Sequence, residues 1–308
     1  MQTKWKKLGL IFSPQIKAPW MMSHSSNPTV LNLEGPIHRV YFGCRDALNR
    51  GSIASFDINL DSLSDALAEP SNLSHEPIIG PGTIGGFDDS GISMGTIIRN
   101  EDGSRYLYYV GWNLGVTVPW RNSIGLAIAQ RGSEDFRRFS RAPLLDRSEV
   151  DPYSLSYPWI IKSEPDRWIM YYGSNLTWGK TERDMKHVLK IATSSDGITW
   201  NRDGRIAIDL SSPDEIGISR PCVVKDSDRF RMWYSYRSGA YKIGYAESSD
   251  GFSWERMDDQ AGIDVSSAGW DSLSISYGCV FDYNGQRYMM YNGNEYGRSG
   301  IGLAIQMA

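Results

Sequence analysis

Apolar and polar residues alternate along this chain in runs of six to nine, broken by short polar turns. Such a period of two predicts strands rather than helices. The stretch Asp214 to Trp254 shows the grammar clearly: CVV, the turn KDSDR, FRMWYSY, the turn RSGA, YKIGYAES, then SSDG before Trp254. Asp-Gly supplies the positive φ that tight turns use. No helix is predicted with the same force. SLSDALAE from Ser62 suits a short one, and TWGKTERDMKH, from Thr177 to His187, reads as a long polar insertion beside a site or as a solvated excursion.

The grammar repeats. Asp-x4-Ser-x-Pro/Gly, followed by an apolar run, starts at Asp88, Asp151, Asp214 and Asp271, and a degenerate copy without the Asp starts at Ser26. Second strands follow as HRVYFGCRD, RYLYYVGWN, RWIMYYGSN, FRMWYSYR and RYMMYNGNE, with third strands behind them. A fourth strand is visible after the third and fourth copies, at ITWNRDGRIAI and FSWERMDDQAGIDV, and is assigned to FRRFSRAPLL after the second. After the first copy it is unclear. The last copy ends at its third strand, and TKWKKLGLIF near the N-terminus has the pattern of the strand it lacks. The expectation is therefore an all-β, five-bladed β-propeller, one domain over residues 1–308, with the N-terminal strand closing the ring in the last blade. A β-sandwich is the rival, and the tiling of the chain by the repeats favours the propeller.

Composition narrows the partners. A net charge of -4 gives no basic excess for a nucleic-acid polymer, and no apolar run approaches the roughly 20 residues of a membrane span. Three cysteines, Cys44, Cys222 and Cys279, without a signal-peptide core suggest reduced thiols and a cytoplasmic location. No metal or cofactor is expected: the histidines form no metal-spaced cluster, the cysteines form no CxxC pair, and neither GxxxxGK[ST] nor GxSxG occurs. Cys222 and Cys279 hold equivalent repeat positions, which points to packing.

The blocks MWYS, Met232 to Ser235, and IGYAESSDGFSW, Ile243 to Trp254, resemble the five-bladed propeller superfamily of carbohydrate-active enzymes. It includes glycoside hydrolase families 32, 43 and 68 and the family 130 phosphorylases. The resemblance implies a ligand at one end of the central channel and carboxylates at the starts of innermost strands, often within Asp-Pro or Glu-Gly-Pro. This chain departs from that pattern, with Asn27-Pro28 in the first copy and Ser219-Arg220-Pro221 in the fourth.

Positions filled alike in every copy, such as the repeat Ser and Asp, read as structural, the Asp capping a turn or pairing between blades. Positions that vary while facing the axis read as tuned to a ligand. The residues after each Ser are Asn27, Met94, Tyr157, Arg220 and Tyr277. The ends of the second strands add Arg45 and Asp46, Trp112 and Asn113, Asn175, Arg237, and Asn294. His24 lies just before the first innermost strand. These residues predict a mouth that binds a carbohydrate or sugar-derived small molecule, with Arg45, Arg220 and Arg237 favouring an anionic one. For catalysis the candidates are Glu215 as acid, in the blade that supplies it in the resembling families, with Asp89 or Asp151 as partner and Glu295 as a further candidate. The leading expectation is an enzyme that cleaves or transfers a glycosyl unit. A non-catalytic glycan-binding propeller and a structural or protein-interaction propeller are the alternatives.

Overall fold

The computed structural model describes residues 4–14, 18–63, 69–181 and 184–307. It is an all-β chain built from antiparallel units, each a run of consecutive strands in meander order. The first holds β2 (Ser23–Glu34), β3 (Ile37–Arg45) and β4 (Gly51–Asn59). The second holds β5 (Gly91–Arg99), β6 (Arg105–Leu114), β7 (Trp120–Ala129) and β8 (Arg137–Arg138). The third holds β9 (Leu155–Glu164), β10 (Arg167–Asn175), β11 (His187–Ser194) and β12 (Ile206–Ile208). The fourth holds β13 (Gly217–Lys225), β14 (Phe230–Arg237), β15 (Tyr241–Ser248) and β16 (Glu255–Arg256). The last joins β17 (Ser276–Tyr283), β18 (Gln286–Asn292) and β19 (Ile301–Gln306) to β1 (Trp5–Phe12), in the order β1-β19-β18-β17.

The N-terminal strand pairs where the alternation places it, Trp5 opposite Gln306 and Phe12 opposite Ile301. Lys7 adds an ion pair to Asp271 at 2.7 Å, and Trp5 meets Trp233 edge-on at 6.0 Å. In the first unit the strand that is unclear from sequence is reduced to two bridges, Asp57 to Ser71 and Ile53 to Ile79. The segment from Ser62 opens with the end of a 3-10 turn, Leu60–Ser62, and its remainder lies largely outside the described residues. No helix among the described residues is long and apolar enough to cross a membrane.

First strands pack on one another in a cyclic order: β2 on β5, β5 on β9, β9 on β13, β13 on β17 and β17 on β2. Their residues, with those of the second and third strands, form the core, which holds Trp233, Tyr171, Tyr234 and Tyr291 fully out of water. The Ser-x-Asp-Gly-x-x-Trp turns fasten neighbours together. Asp196 Oδ1 accepts from the amides of Ile198 and Thr199, both at 2.7 Å, and Asp250 does the same for Phe252 and Ser253. The turn so fixed offers a glycine carbonyl to a tyrosine of the preceding unit: Tyr108 Oη donates to Gly197 O at 2.8 Å, and Tyr171 Oη to Gly251 O at 2.9 Å.

Candidate functional site

Each first strand carries a register shift at its Ser-x-Pro/Gly motif, as between Ser219 and Cys222 or Ser276 and Cys279. Proline costs nothing there, because a bulge leaves an amide without a ladder partner and proline has none to lose. The residue between is forced into the left-handed region in four units: φ is 56° at Asn27, 43° at Tyr157, 51° at Arg220 and 58° at Tyr277. Non-glycine residues rarely adopt that conformation, and backbone strain of this kind clusters at binding sites.

Three of these four residues, Asn27, Tyr157 and Tyr277, line a cavity of about 430 Å³, within the usual size of small-molecule sites. Second-strand ends add Arg45, Trp112, Asn175 and Arg237, as expected from sequence. Third-strand starts add Trp120, Asn122, His187 and Tyr241, which strand-end reasoning missed. Antiparallel order held that signal, since a third strand begins where the second ends. Tyr296 and Asn49 come from the turns. The polar insertion borders the cavity: Met185 and His187 line it, and Trp178 packs edge-on against Trp120 at 5.4 Å.

The wall is aromatic and cationic. Tyr157 and Tyr277 lie 5.6 Å apart, Tyr241 sits 6.0 Å from Tyr277, and the Arg237 guanidinium lies 5.3 Å over the Tyr241 ring. Arg237 Nη1 donates to Tyr296 Oη at 3.0 Å. Arg45 Nη1 donates to Asn49 Oδ1 at 2.8 Å, and no carboxylate pairs with Arg45 among the described residues. Burial pushes the Tyr241 phenol up to about 12 and raises Tyr157 and Tyr277 as well, so all three stay protonated donors at neutral pH. His187 is lowered to about 4, first by burial and then by Arg237, so its ring is neutral. The ring fits because residue 217 is glycine: a Cβ there would sit about 2.0 Å from His187 Cε1.

Three buried polar atoms of the wall have no hydrogen-bond partner among the described residues: Asn27 Oδ1, Asn175 Nδ2 and His187 Nδ1. Leaving such atoms unpaired costs about 1–3 kcal/mol each, and all three belong to residues that line one cavity.

The structure places the other expected residues elsewhere, and no Asp or Glu lines the cavity among the described residues. Glu215 is buried against Arg256 and accepts from the Ser211 amide. Burial alone would raise its pKa, but the bonds from Arg256 and Ser211 outweigh it and hold Glu215 below the ordinary glutamate value. An ionised, paired carboxylate off the cavity has no proton to give as an acid. Asp151 is fully buried between Lys190 at 3.1 Å and Arg202 at 3.0 Å, with Tyr172 and Ser174 donating. Asp89 caps the turn from Gly85 and accepts from Ser90 and Asn113. Glu295 is exposed beside Arg298.

Among the binding candidates, Asp46 closes its turn by pairing with Arg50 at 2.8 Å, Asn113 bonds Gly86 O, and Asn294 accepts from Leu273 and Ser274. His24 bonds Ser23 Oγ outside the cavity lining. Arg220 is the largest correction. The repeat pattern puts it at the mouth, but it is fully buried, donating to Pro28 O at 3.0 Å and to Thr29 Oγ1, with its guanidinium 5.3 Å over Trp159. It reaches into the first unit, where the Asn27 and Pro28 carbonyls take the place of an anion.

No family model matches the chain. Two Mycobacterium tuberculosis sequences, the uncharacterized proteins MT1551 and Rv1502, are each 46% identical to it over 301 residues, covering 98% of this chain and of each relative. Solved structures share the fold at low identity. A complex of BT0996 with RGII superposes with a TM-score of 0.74 at 17% identity, covering 99% of this chain and 91% of the solved one. The catalytic domain of a Coprinopsis cinerea GH62 α-L-arabinofuranosidase gives 0.70 at 13%, covering 99% and 98%. A member of the GH130 family, which holds mannoside phosphorylases and glycoside hydrolases, gives 0.66 at 14%, covering 99% and 94%. The fold is thus that of glycoside hydrolase-like propellers.

Proposed function

We propose, from the premise that the chain belongs to the family of the Mycobacterium tuberculosis proteins MT1551 and Rv1502, that it is a single-domain, five-bladed propeller binding a sugar-derived anion in its axial pocket. The cyclic packing of the first strands supports the ring, and the β1–β19 pairing supports its closure. The observation that carries the ligand reading is the set of unpartnered buried atoms on Asn27, Asn175 and His187, beside Arg45 and Arg237. Aromatic faces suit the C–H faces of a sugar, amides and imidazole suit its hydroxyls, and guanidinium suits a carboxylate or phosphate.

With no carboxylate on the wall among the described residues, recognition is favoured over cleavage by a carboxylate pair. A catalytic reading, cleavage or transfer of a glycosyl unit, has one specific support: His187 lines the cavity as a neutral imidazole, a group that can take up a proton.

Calorimetry with glucuronic acid and glucose tests the reading. The acid is expected to bind more tightly, and Arg45→Ala should weaken it by about 1.5–3 kcal/mol while leaving glucose unchanged. Equal affinity for the two sugars sinks the anionic assignment. An aryl glycoside assay decides between recognition and chemistry: in an enzyme, His187→Gln lowers turnover by about 10²–10⁴-fold.

A further inference from the structure

Consecutive units are tied together by the residue three places after each repeat Ser. Thr29 Oγ1 donates to Gly95 O at 2.9 Å, Thr96 Oγ1 to Pro158 O at 2.7 Å, and Trp159 Nε1 to Val223 O at 3.1 Å. The fourth unit puts a thiol in this place. Cys222 Sγ lies 3.7 Å from Val280 O and accepts from the Val280 amide at 3.1 Å. Sulfur is a weak donor and a weak acceptor, so this seam is tied less firmly than those three. The fifth unit puts Cys279 at the equivalent position, next to Val280 in the chain. A side-chain hydrogen bond joins the two thiols.

A cation lies beside the pair. Cys222 and Cys279 are 0% and 1% exposed, and Arg220, two residues before Cys222, is buried as fully. Arg220 Nε and Nη1 have no hydrogen-bond partner among the described residues. The acidic groups that Arg220 faces are the two thiols, Cys279 most strongly, and the phenols of Tyr157 and Tyr277. A buried cation without an anion is costly, and a thiolate supplies one. The bond from Cys222 and then the Arg220 charge hold the Cys279 thiol below the ordinary cysteine value, against burial. Burial pushes Cys222 up. One sulfur is therefore readied as a nucleophile, and its neighbour keeps a proton.

From this arrangement we infer that Cys222 and Cys279 form a redox site that takes hydrogen peroxide as oxidant and closes to a disulfide, stapling the fourth unit to the fifth. Deprotonated Cys279 attacks a peroxide oxygen. The O–O bond breaks, leaving a sulfenic acid and a hydroxide that takes up the Cys279 proton as water. Cys222 then attacks the Cys279 sulfur. The S–S bond forms, the S–O bond breaks, and hydroxide leaves with the Cys222 proton as a second water. The two sulfurs lose two electrons, and the peroxide gains them. Tyr277, two residues before Cys279, lines the ligand cavity, so the staple fixes a strand that carries part of the pocket wall.

Cys44 is the internal control. It is buried too, and it lines the cavity, but burial pushes its thiol up to about 12. If access alone governed oxidation, Cys44 would react first. The test treats the intact protein with a small excess of hydrogen peroxide, then counts thiols in denaturant and maps them by mass spectrometry. One free thiol, Cys44, is expected, with an intact mass lower by two hydrogens and a peptide pair joined through Cys222 and Cys279. Because the bond closes a long loop, Tm should rise by about 4 °C or more. Dithiothreitol should restore three thiols and the starting Tm. Three free thiols after peroxide, oxidation of Cys44 first, or a sulfinic acid on Cys279 with Cys222 still free overturns the redox site. A Cys222–Cys279 disulfide that leaves Tm unchanged or lower overturns the staple.

Discussion

The acids in front of the first strands and the pocket wall are built at the same end of the same units, yet they are finished differently. Asp88, Asp151, Glu215 and Asp271 each meet a cation supplied by the same unit: Arg138, Arg202 with Lys190, Arg256 and Lys7. A tyrosine of the second strand joins in three of them, Tyr109, Tyr172 and Tyr291. The wall differs from unit to unit and keeps polar atoms unpaired. Repetition with every bond satisfied marks fold. Variation with bonds left open is where the proposed ligand would bind.

The sharpest way to break the contrast is Asp151→Ala. It strands Lys190 in the interior, and denaturant unfolding should show a loss of about 3–5 kcal/mol with ligand affinity retained. A loss of affinity at full stability would put Asp151 in the site instead. Lys7→Met leaves Asp271 buried without its cation and should cost about 1–3 kcal/mol by the same measurement.

Acid titration sharpens the comparison further. The folded pKa values of Glu215 and Asp271 are depressed: burial opposes ionisation, but hydrogen bonds from Arg256 and Lys7 win. Their stabilisation is complete above the unfolded values, 4.5 and 3.8, and is lost as pH falls through the lower folded ones. Glu215→Gln should start less stable and lose less stability on acidification than the parent. Parallel curves would disprove the linkage.

Smaller effects belong to the wall. His187→Ala should weaken ligand binding by about 0.5–1.5 kcal/mol, the worth of one neutral hydrogen bond, and His187→Gln should restore part of it. Because His187 is lowered to about 4, it stays neutral through the ordinary working range. Its contribution, measured as the gap between parent and His187→Ala, should be flat between about pH 5.5 and 8; a step near 6.5 would show an imidazole of ordinary basicity.

The strands were legible because a two-residue period with a buried face admits few other readings. The Ser-x-Pro/Gly positions were legible because they vary within a constant frame, and three of the five line the pocket. Depth was not legible. Arg220 and Tyr277 hold the same repeat position, but a guanidinium on a longer stem reaches carbonyls of the first unit that no local pattern reveals. The acid of the fourth unit was offset too: the repeat aligned Asp214, while the ion pair falls on Glu215, one residue later. The pairing of Glu215 was hidden because its partner, Arg256, comes from the fourth strand, a relation that appears only once the unit is folded.

The pairing of β1 with β19 also sets a timetable for the nascent chain. β1, Trp5–Phe12, is translated long before β19, Ile301–Gln306. At a synthesis rate of about 5–20 residues per second, β1 waits roughly 15–60 s for its partner. Throughout that time an apolar strand has an open edge next to the ribosome, where intermolecular pairing is a hazard. Lys4, Lys6 and Lys7 place positive charge along this edge and so discourage premature pairing until Asp271 and β19 have emerged.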